Sequence, residues 1–500
     1  MSESEKISRR KLIKGAAVLG AGATVLMTSQ IAGAMPSDAP EKWDYTADVV
    51  IAGGGAGGLA AASLLGQNGF SVILLEKEVT TGGSSAICGG QMAFAGTDMQ
   101  KAEGVKDSKE LLVTDLMNVG KQVNNKSLVE AYGENQLEYY KWLQKTGAKF
   151  IKLSAGSGQS VPRGHIVKPG DHLKLLRKTA LAAGVKILDM TPAERLLYDE
   201  KTKSIIGVAG KNRRNKPLSF KANKGVILAT GGFSRDKELL GLFTPLMKHS
   251  AAICGLGCTG DGIRMGWAYG AGLADVSYVK GTFGFKPNAN AISDLAYVYY
   301  KGATIVNQEG KRFVNESISY KLLGDAASAQ SGGYAYQIYD ASIREIALKD
   351  AIGAGNPSHV EKTSDAIVKA DSIAELAKLI NIKPAVLEKT IQEYNQTVAK
   401  GSDPLFNRTA LSGEYGKPVA IQKAPFYAFK SIAAVIGTYA GLTINNKAQV
   451  VDVYDGVIPG LYAVGEVTGG FHGAAYMTGT AFGKTQVFGL IAAKSIINKG

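Results

Sequence analysis

A chain of 500 residues exceeds what one hydrophobic core supports and divides into two or three domains. Its 45% hydrophobic content, 62 glycines and 14 prolines are those of a soluble globular protein, and a glycine excess without a repeat points to close backbone approaches such as nucleotide-binding loops. The formal charge of +14 comes without an aromatic-interleaved basic motif, which argues against nucleic acid and for an acidic redox partner or an anionic membrane surface.

The chain begins with a twin-arginine pair, Arg9-Arg10, an Ala/Gly-rich apolar segment and a small-residue site ending at Ala32-Gly33-Ala34. This pattern predicts a Tat export signal over residues 1–34, in preference to a membrane anchor, because so many Ala and Gly residues make a poor span. It leaves a periplasmic protein with no integral span after cleavage. The Tat route carries folded proteins, so a cofactor is expected to be loaded before export.

After a polar linker, Asp48–Ala52 reads as a strand, Leu59–Gln67 as a helix and Ser71–Leu75 as a second strand ending on Glu76. Between the first two, Gly53, Gly55 and Gly58 form G-x-G-x-x-G in the context that gives it meaning. The first permits a tight turn, the second admits a pyrophosphate, the third lets helix pack on strand, and Glu76 is spaced to accept from a ribose diol. A further glycine loop carries Gly83, Ser84 and Ser85. The buried-type strand before Ala229 leads into Thr230-Gly231, and TGDG brings Asp261. Cys254 and Cys258, in CGLGC, are too few for a cluster or a structural zinc and read as unpaired buried thiols; no C-x-x-C-H attaches a c-type haem, and the five histidines show no metal spacing.

From about residue 277 to 430 the composition turns aromatic and polar, as in an inserted second domain. YVYY (297–300) reads as a strand. Leu376, Leu379, Leu387, Ile391, Tyr394 and Val398 recur at helical spacing, with Pro384 at a helix start. Near the end, a strand leads to Glu466, His472 and a closing apolar helix. Four glycine-rich turns from residue 53 to 483 suit one large, wrapped dinucleotide.

GGGAGGLAAA, LLEKE, ATGGFSRD, TGDGIRMG, GKRFVNES, EYNQTV and GEVTGGFHGA, in that order, resemble the flavoproteins of the fumarate reductase and succinate dehydrogenase superfamily, above all the flavocytochrome c type. The resemblance covers nearly the whole chain after Ala47. It implies noncovalent FAD and an α/β architecture: a Rossmann-like FAD-binding domain (35–276 and 431–500) interrupted by an α+β clamp (277–430). It also implies cofactor contacts from Gly53, Gly55, Gly58, Glu76, Gly83, Ser84, Ser85, Thr230, Gly231, Asp261, Glu466 and His472, with His472 orienting the cofactor.

The match breaks where such enzymes bind dicarboxylates. By motif register, their catalytic arginine becomes Tyr320, their carboxylate-binding histidine Thr282, a histidine pair Ile436 and Gly437, a carboxylate-binding arginine Tyr476, and a Glu/Arg relay Ala296 and Tyr299. A dicarboxylate needs cationic forks, and these positions offer none. Tyr320 and Tyr476 instead resemble the tyrosines of 3-ketosteroid dehydrogenases, in which one handles a proton and the other bonds a ketone; Thr478 falls where a helping serine stands. The expected function is a periplasmic FAD oxidoreductase acting on a C–C bond conjugated to a carbonyl, with Tyr320 as proton donor or acceptor, Tyr476 and Thr478 at the carbonyl, and a c-type cytochrome as electron carrier. Two other readings stay open: a fumarate, methacrylate or urocanate type of reductase, and a flavin electron-transfer subunit without a substrate.

Overall fold

The computed structural model describes residues 39–248, 250–279, 281–352, 354–411 and 416–499. The export signal expected over 1–34 lies outside the described residues. Among them, no helix is long and apolar enough to cross a membrane, and no cluster of His, Cys, Asp and Glu is placed to hold a metal.

The fold is mixed α/β, built on two principal sheets. In the first, Tyr45–Ala52 is flanked by Val72–Leu75 and Pro217–Leu228, and Pro217–Leu228 in turn pairs with Val457–Ala463; all three pairings are parallel. Val49, Val50, Ile51 and Ala52 are wholly buried, as expected for a strand covered on both faces. The register aligns Ala52 with both Leu75 and Leu228, and Leu228 with Ala463. Four carboxyl-terminal strand ends therefore sit side by side, where open parallel sheets bind ligands. Gly53, Glu76, Ala229 and Val464 each follow one of these strands, so segments up to 411 residues apart open onto one edge. The helices Ala56–Gln67 and Thr480–Ile497 are buried along most of their lengths.

The second sheet centres on Phe426–Val435, which pairs with Tyr334–Asp340, Thr282–Phe285, Ile367–Ala370 and Ala251–Ala252. It has its own core, including Phe283, Tyr299, Ile305, Ile338, Leu387 and Phe429. The expected helices are Ile373–Leu379 and Pro384–Lys400, the latter starting on its proline. Leu379 departs from the expected stripe: it ends a seven-residue helix that buries Leu376 and Ala377, and it is exposed.

YVYY is not a strand. Val298–Lys301 is a 3₁₀ turn closed by the Tyr300 amide donating to the Tyr297 carbonyl at 3.0 Å. The tight turn puts residues three apart on one side, which a strand cannot do, and brings the rings of Tyr297 and Tyr300 to 5.6 Å. Next to it, the polar run before Tyr320 is an ion cluster. The buried Glu316 carboxylate accepts from Arg312 Nε and Nη2 at 2.8 and 2.7 Å, while Arg312 also reaches Asp403 at 2.8 Å. This pins the segment leading into the helix Tyr320–Ser328.

Candidate active site

One cavity runs along the carboxyl-terminal strand ends and continues between the two sheets. At one end, Gly53 has φ +112°, and a Cβ there would lie 2.2 Å from the Ala229 carbonyl oxygen. Only glycine permits this turn against its neighbour. Gly55 differs: an added Cβ would meet only Ser85 Oγ, at 3.8 Å, so its open space faces the cavity. Gly58 does not line the cavity; a Cβ there would strike the Gly53 carbonyl oxygen at 2.0 Å, so it is a packing glycine and not a direct cofactor contact.

The Glu76 carboxylate accepts from the Gly54 and Glu78 amides at 2.9 and 2.8 Å, and burial raises its pKa. Ser85 Oγ accepts from the Ala56 amide at 3.3 Å, and Ser84 Oγ accepts from the Gly255 amide at 3.0 Å and lies 3.1 Å from Cys258 Sγ. These serines join the glycine loop Gly83–Ala86 to the helix start and to the cysteine loop. Asp261 is engaged by Lys77 at 2.7 Å. Gly83, Thr230 and Gly231 complete this part of the wall. Cys254 and Cys258 are buried and unpaired, as expected.

Glu466 accepts from the Thr438 amide and hydroxyl at 2.8 and 3.1 Å, and burial raises its pKa. At the far end four tyrosines converge. Tyr320 Oη donates to Tyr476 Oη at 3.4 Å across 156 residues of sequence. Tyr297 stacks on Tyr320, with centroids 5.5 Å apart and planes 25° apart, and Tyr439 lies 5.7 Å from Tyr476 and 5.4 Å from His472. Loss of hydration, followed by the neighbouring phenols, holds the Tyr320 hydroxyl well above its ordinary range. Burial, reinforced by Lys484, drives His472 far down, so its imidazole is neutral. Thr478 faces the cavity, held by its amide on Ser157 and its carbonyl on Gln159.

The register positions Thr282, Ile436 and Gly437 also line this end, whereas Ala296 and Tyr299 are buried away from it, Tyr299 donating to the Phe283 carbonyl. Among the described residues no arginine lines the cavity, but three lysines do: Lys77, Lys321 and Lys484. Lys321 corrects the expectation of a site without cations: its Nζ donates to Thr282 Oγ1 at 2.8 Å and lies 5.6 and 5.9 Å from the Tyr320 and Tyr439 rings. Tyr439 and Lys484 carry no sequence signal as site residues; Lys321 does, by following Tyr320 directly.

A polar cofactor fits these walls. Thr230 Oγ1 and His472 Nδ1 are buried without a protein partner on cavity residues, and the Gly53 turn presents the amino end of a twelve-residue helix to it. The FAD binding domain family model matches residues 48–481. A probable fumarate reductase, Ifc3, of Shewanella frigidimarina (strain NCIMB 400) is 33% identical over 454 residues, covering 89% of this chain and 74% of that relative. The open conformation of a flavocytochrome c3 fumarate reductase aligns with a TM-score of 0.79 at 28% identity, over 100% of this chain and 82% of that one. A 3-ketosteroid-Δ4-(5α)-dehydrogenase from Rhodococcus jostii RHA1, in complex with 4-androstene-3,17-dione, aligns with a TM-score of 0.75 at 26% identity, over 91% and 98%. The chain belongs to the FAD binding domain family of oxidoreductases, with FAD as its cofactor.

Proposed function

We propose that this protein reduces a C=C bond conjugated to a carbonyl. The observation that carries the reading is the Tyr320–Tyr476 phenol pair, 3.4 Å apart at the end of the cavity opposite the glycine turn. The similarity to a 3-ketosteroid dehydrogenase supports it, as does similarity to reductases.

In this account Gly53, Gly55 and the helix amides hold the pyrophosphate, Glu76 the ribose, and Ser84, Ser85, Thr230, Asp261, Glu466 and His472 shape the remaining wall around FAD. Bound FAD supplies two-electron chemistry at carbon. Tyr320 Oη delivers the proton to the adjacent carbon. Its raised pKa keeps the phenol protonated through the neutral range, which suits a donor in reduction better than a base in desaturation. Tyr476, with Thr478 beside it, bonds the carbonyl oxygen and stabilises charge developing there. The apolar side chains of Ile253, Leu295 and Ile436 limit water around the reacting bond.

We read residues 277–430 as a clamp over an FAD-binding domain formed by 35–276 and 431–500. Its support is the separate core of the second sheet and the division of the site, with Thr282, Tyr297 and Tyr320 from one side and Tyr476 and the glycine turns from the other. Electrons come from a separate carrier, a c-type cytochrome docking on the basic surface, in the periplasm after Tat export; the flavocytochrome relative and the charge of +14 support this. A second reading has one observation in its favour: Lys321 with Thr282 supplies a cation for an acceptor with a single carboxylate.

The test is turnover of the holoprotein with reduced methyl viologen as the one-electron donor and a planar cyclic enone as acceptor. The expected product is the saturated ketone, carbonyl retained, with two viologens oxidised per ketone formed. Viologen oxidation without saturated ketone, or no enone-dependent oxidation, overturns the proposal.

A further inference from the structure

Lys484 is a buried cation that the proposed reaction does not use. It is the fifth residue of the helix Thr480–Ile497 and is 3% exposed, yet it lines the cavity. Its Nζ donates to the Thr468 carbonyl at 2.8 Å, and among the described residues no carboxylate lies within ion-pair distance of it. A buried ammonium without a paired carboxylate is costly, so an anionic occupant of the cavity is its natural complement.

The surroundings say which part of the occupant it meets. Lys484 Nζ lies 5.8 Å from the Phe471 ring, which packs edge-on against His472 at 4.9 Å, and the His472 ring contacts Tyr439 and Tyr476 at 5.4 and 5.9 Å. While its backbone neighbour Thr485 packs on Gly57 at the start of the first helix, its ammonium therefore points toward the tyrosine end. The redox ring has to reach that end to exchange electrons with a substrate beside Tyr320.

We propose that Lys484 is a positioning residue for charge that sets the reduction potential of the bound FAD, by stabilising the anionic reduced form. In the balanced half-reaction FAD takes two electrons and one proton to give FADH⁻, leaving one new negative charge beside Lys484. The groups facing Lys484 are Glu466 and Asp275, which favour its charge, and the neutral His472; Asp275 is tied to the Gly470 amide at 2.8 Å and Glu466 to Thr438. Burial brings Lys484 down to about 8. Adding negative charge raises it again, so reduction above this pH draws a second proton, onto Lys484 Nζ, whereas reduction below it draws only one.

The test is a mediated potentiometric titration of the holoprotein with dithionite, followed by flavin absorbance from pH 6.5 to 9.5. Wild type should change from one proton per electron pair to two as pH rises through about 8. Lys484→Met should show no break and a reduced form destabilised about 10- to 100-fold, which for a two-electron couple is a midpoint roughly 30–60 mV lower. Lys484→Arg should keep the wild-type midpoint near neutral pH and lose the break. A wild-type slope without a break overturns the proposal, even if Lys484→Met fails to retain FAD. So does an FAD-replete Lys484→Met with the wild-type midpoint. The inference rests on the proposed function for the place of the redox ring, but the titration needs no organic substrate, so a failure of enone turnover and a failure of this inference are read separately.

Discussion

Replacing Tyr320 by Phe should lower enone turnover about 10²- to 10⁴-fold, the span that one positioned acid commonly contributes, with FAD content and thermal stability close to wild type. The ring that stacks on Tyr297 survives the substitution, so the wall keeps its shape. What disappears is one hydroxyl, the donor to Tyr476. The loss should fall on kcat, since Phe still fills the same space, and reduction of the flavin by viologen should proceed at its normal rate. A Tyr320→Phe enzyme that turns over enone within a factor of about three of wild type, well below the effect of removing a general acid, would mean the proton comes from elsewhere.

Gly53→Ala should abolish FAD binding and destabilise the apoprotein as well. A side chain at φ +112° costs about 1–3 kcal/mol in backbone strain alone, and the new Cβ would also lie 2.2 Å from the Ala229 carbonyl. The edge on which four strands end would then have to open. Gly55→Ala provides the contrast, because its Cβ has room in the protein and enters only the cavity. It should leave the melting temperature of the apoprotein unchanged while weakening FAD retention. Flavin absorbance per protein and apoprotein melting separate the two; equal melting losses would show that both glycines serve the turn alone.

The glycine turn is legible in sequence because its physics is local. A buried apolar run, three glycines at fixed spacing and a helix behind them leave few alternatives, and Glu76 closes the unit one strand later. Gly58 shows the limit of even this motif, since spacing alone does not say which glycine meets the ligand and which meets the neighbouring strand. The tyrosine pair is legible only through resemblance, because nothing local in SISYK or GAAYM brings together residues 156 apart. Tyr439 and Lys484 escape altogether. Their exposure to the cavity follows from where Phe426–Val435 ends and how the last helix lies on the first sheet, which are tertiary facts. YVYY fails for another reason: aromatic β-propensity competes with packing, and packing of Tyr297 and Tyr300 on one side wins.

The deeper contrast is between the chain's frame and its chemistry. The frame aligns with a flavocytochrome c3 fumarate reductase along the whole chain. Yet the cavity wall carries tyrosines and Lys321 where the resemblance leads one to expect arginines and histidines. Phenols and the ammoniums of Lys321 and Lys484, with no arginine among the described residues of the wall, match a carbonyl or one carboxylate better than two carboxylates whose desolvation must be offset by bidentate cations.

The most direct measurement is therefore anaerobic reduction of the holoprotein followed by stopped-flow mixing with fumarate or with a planar cyclic enone, reading flavin reoxidation. The tyrosine-lined site predicts fast reoxidation by the enone and none by fumarate above the buffer control. Fast reoxidation by fumarate with none by the enone would contradict it, and would make this cavity a dicarboxylate site.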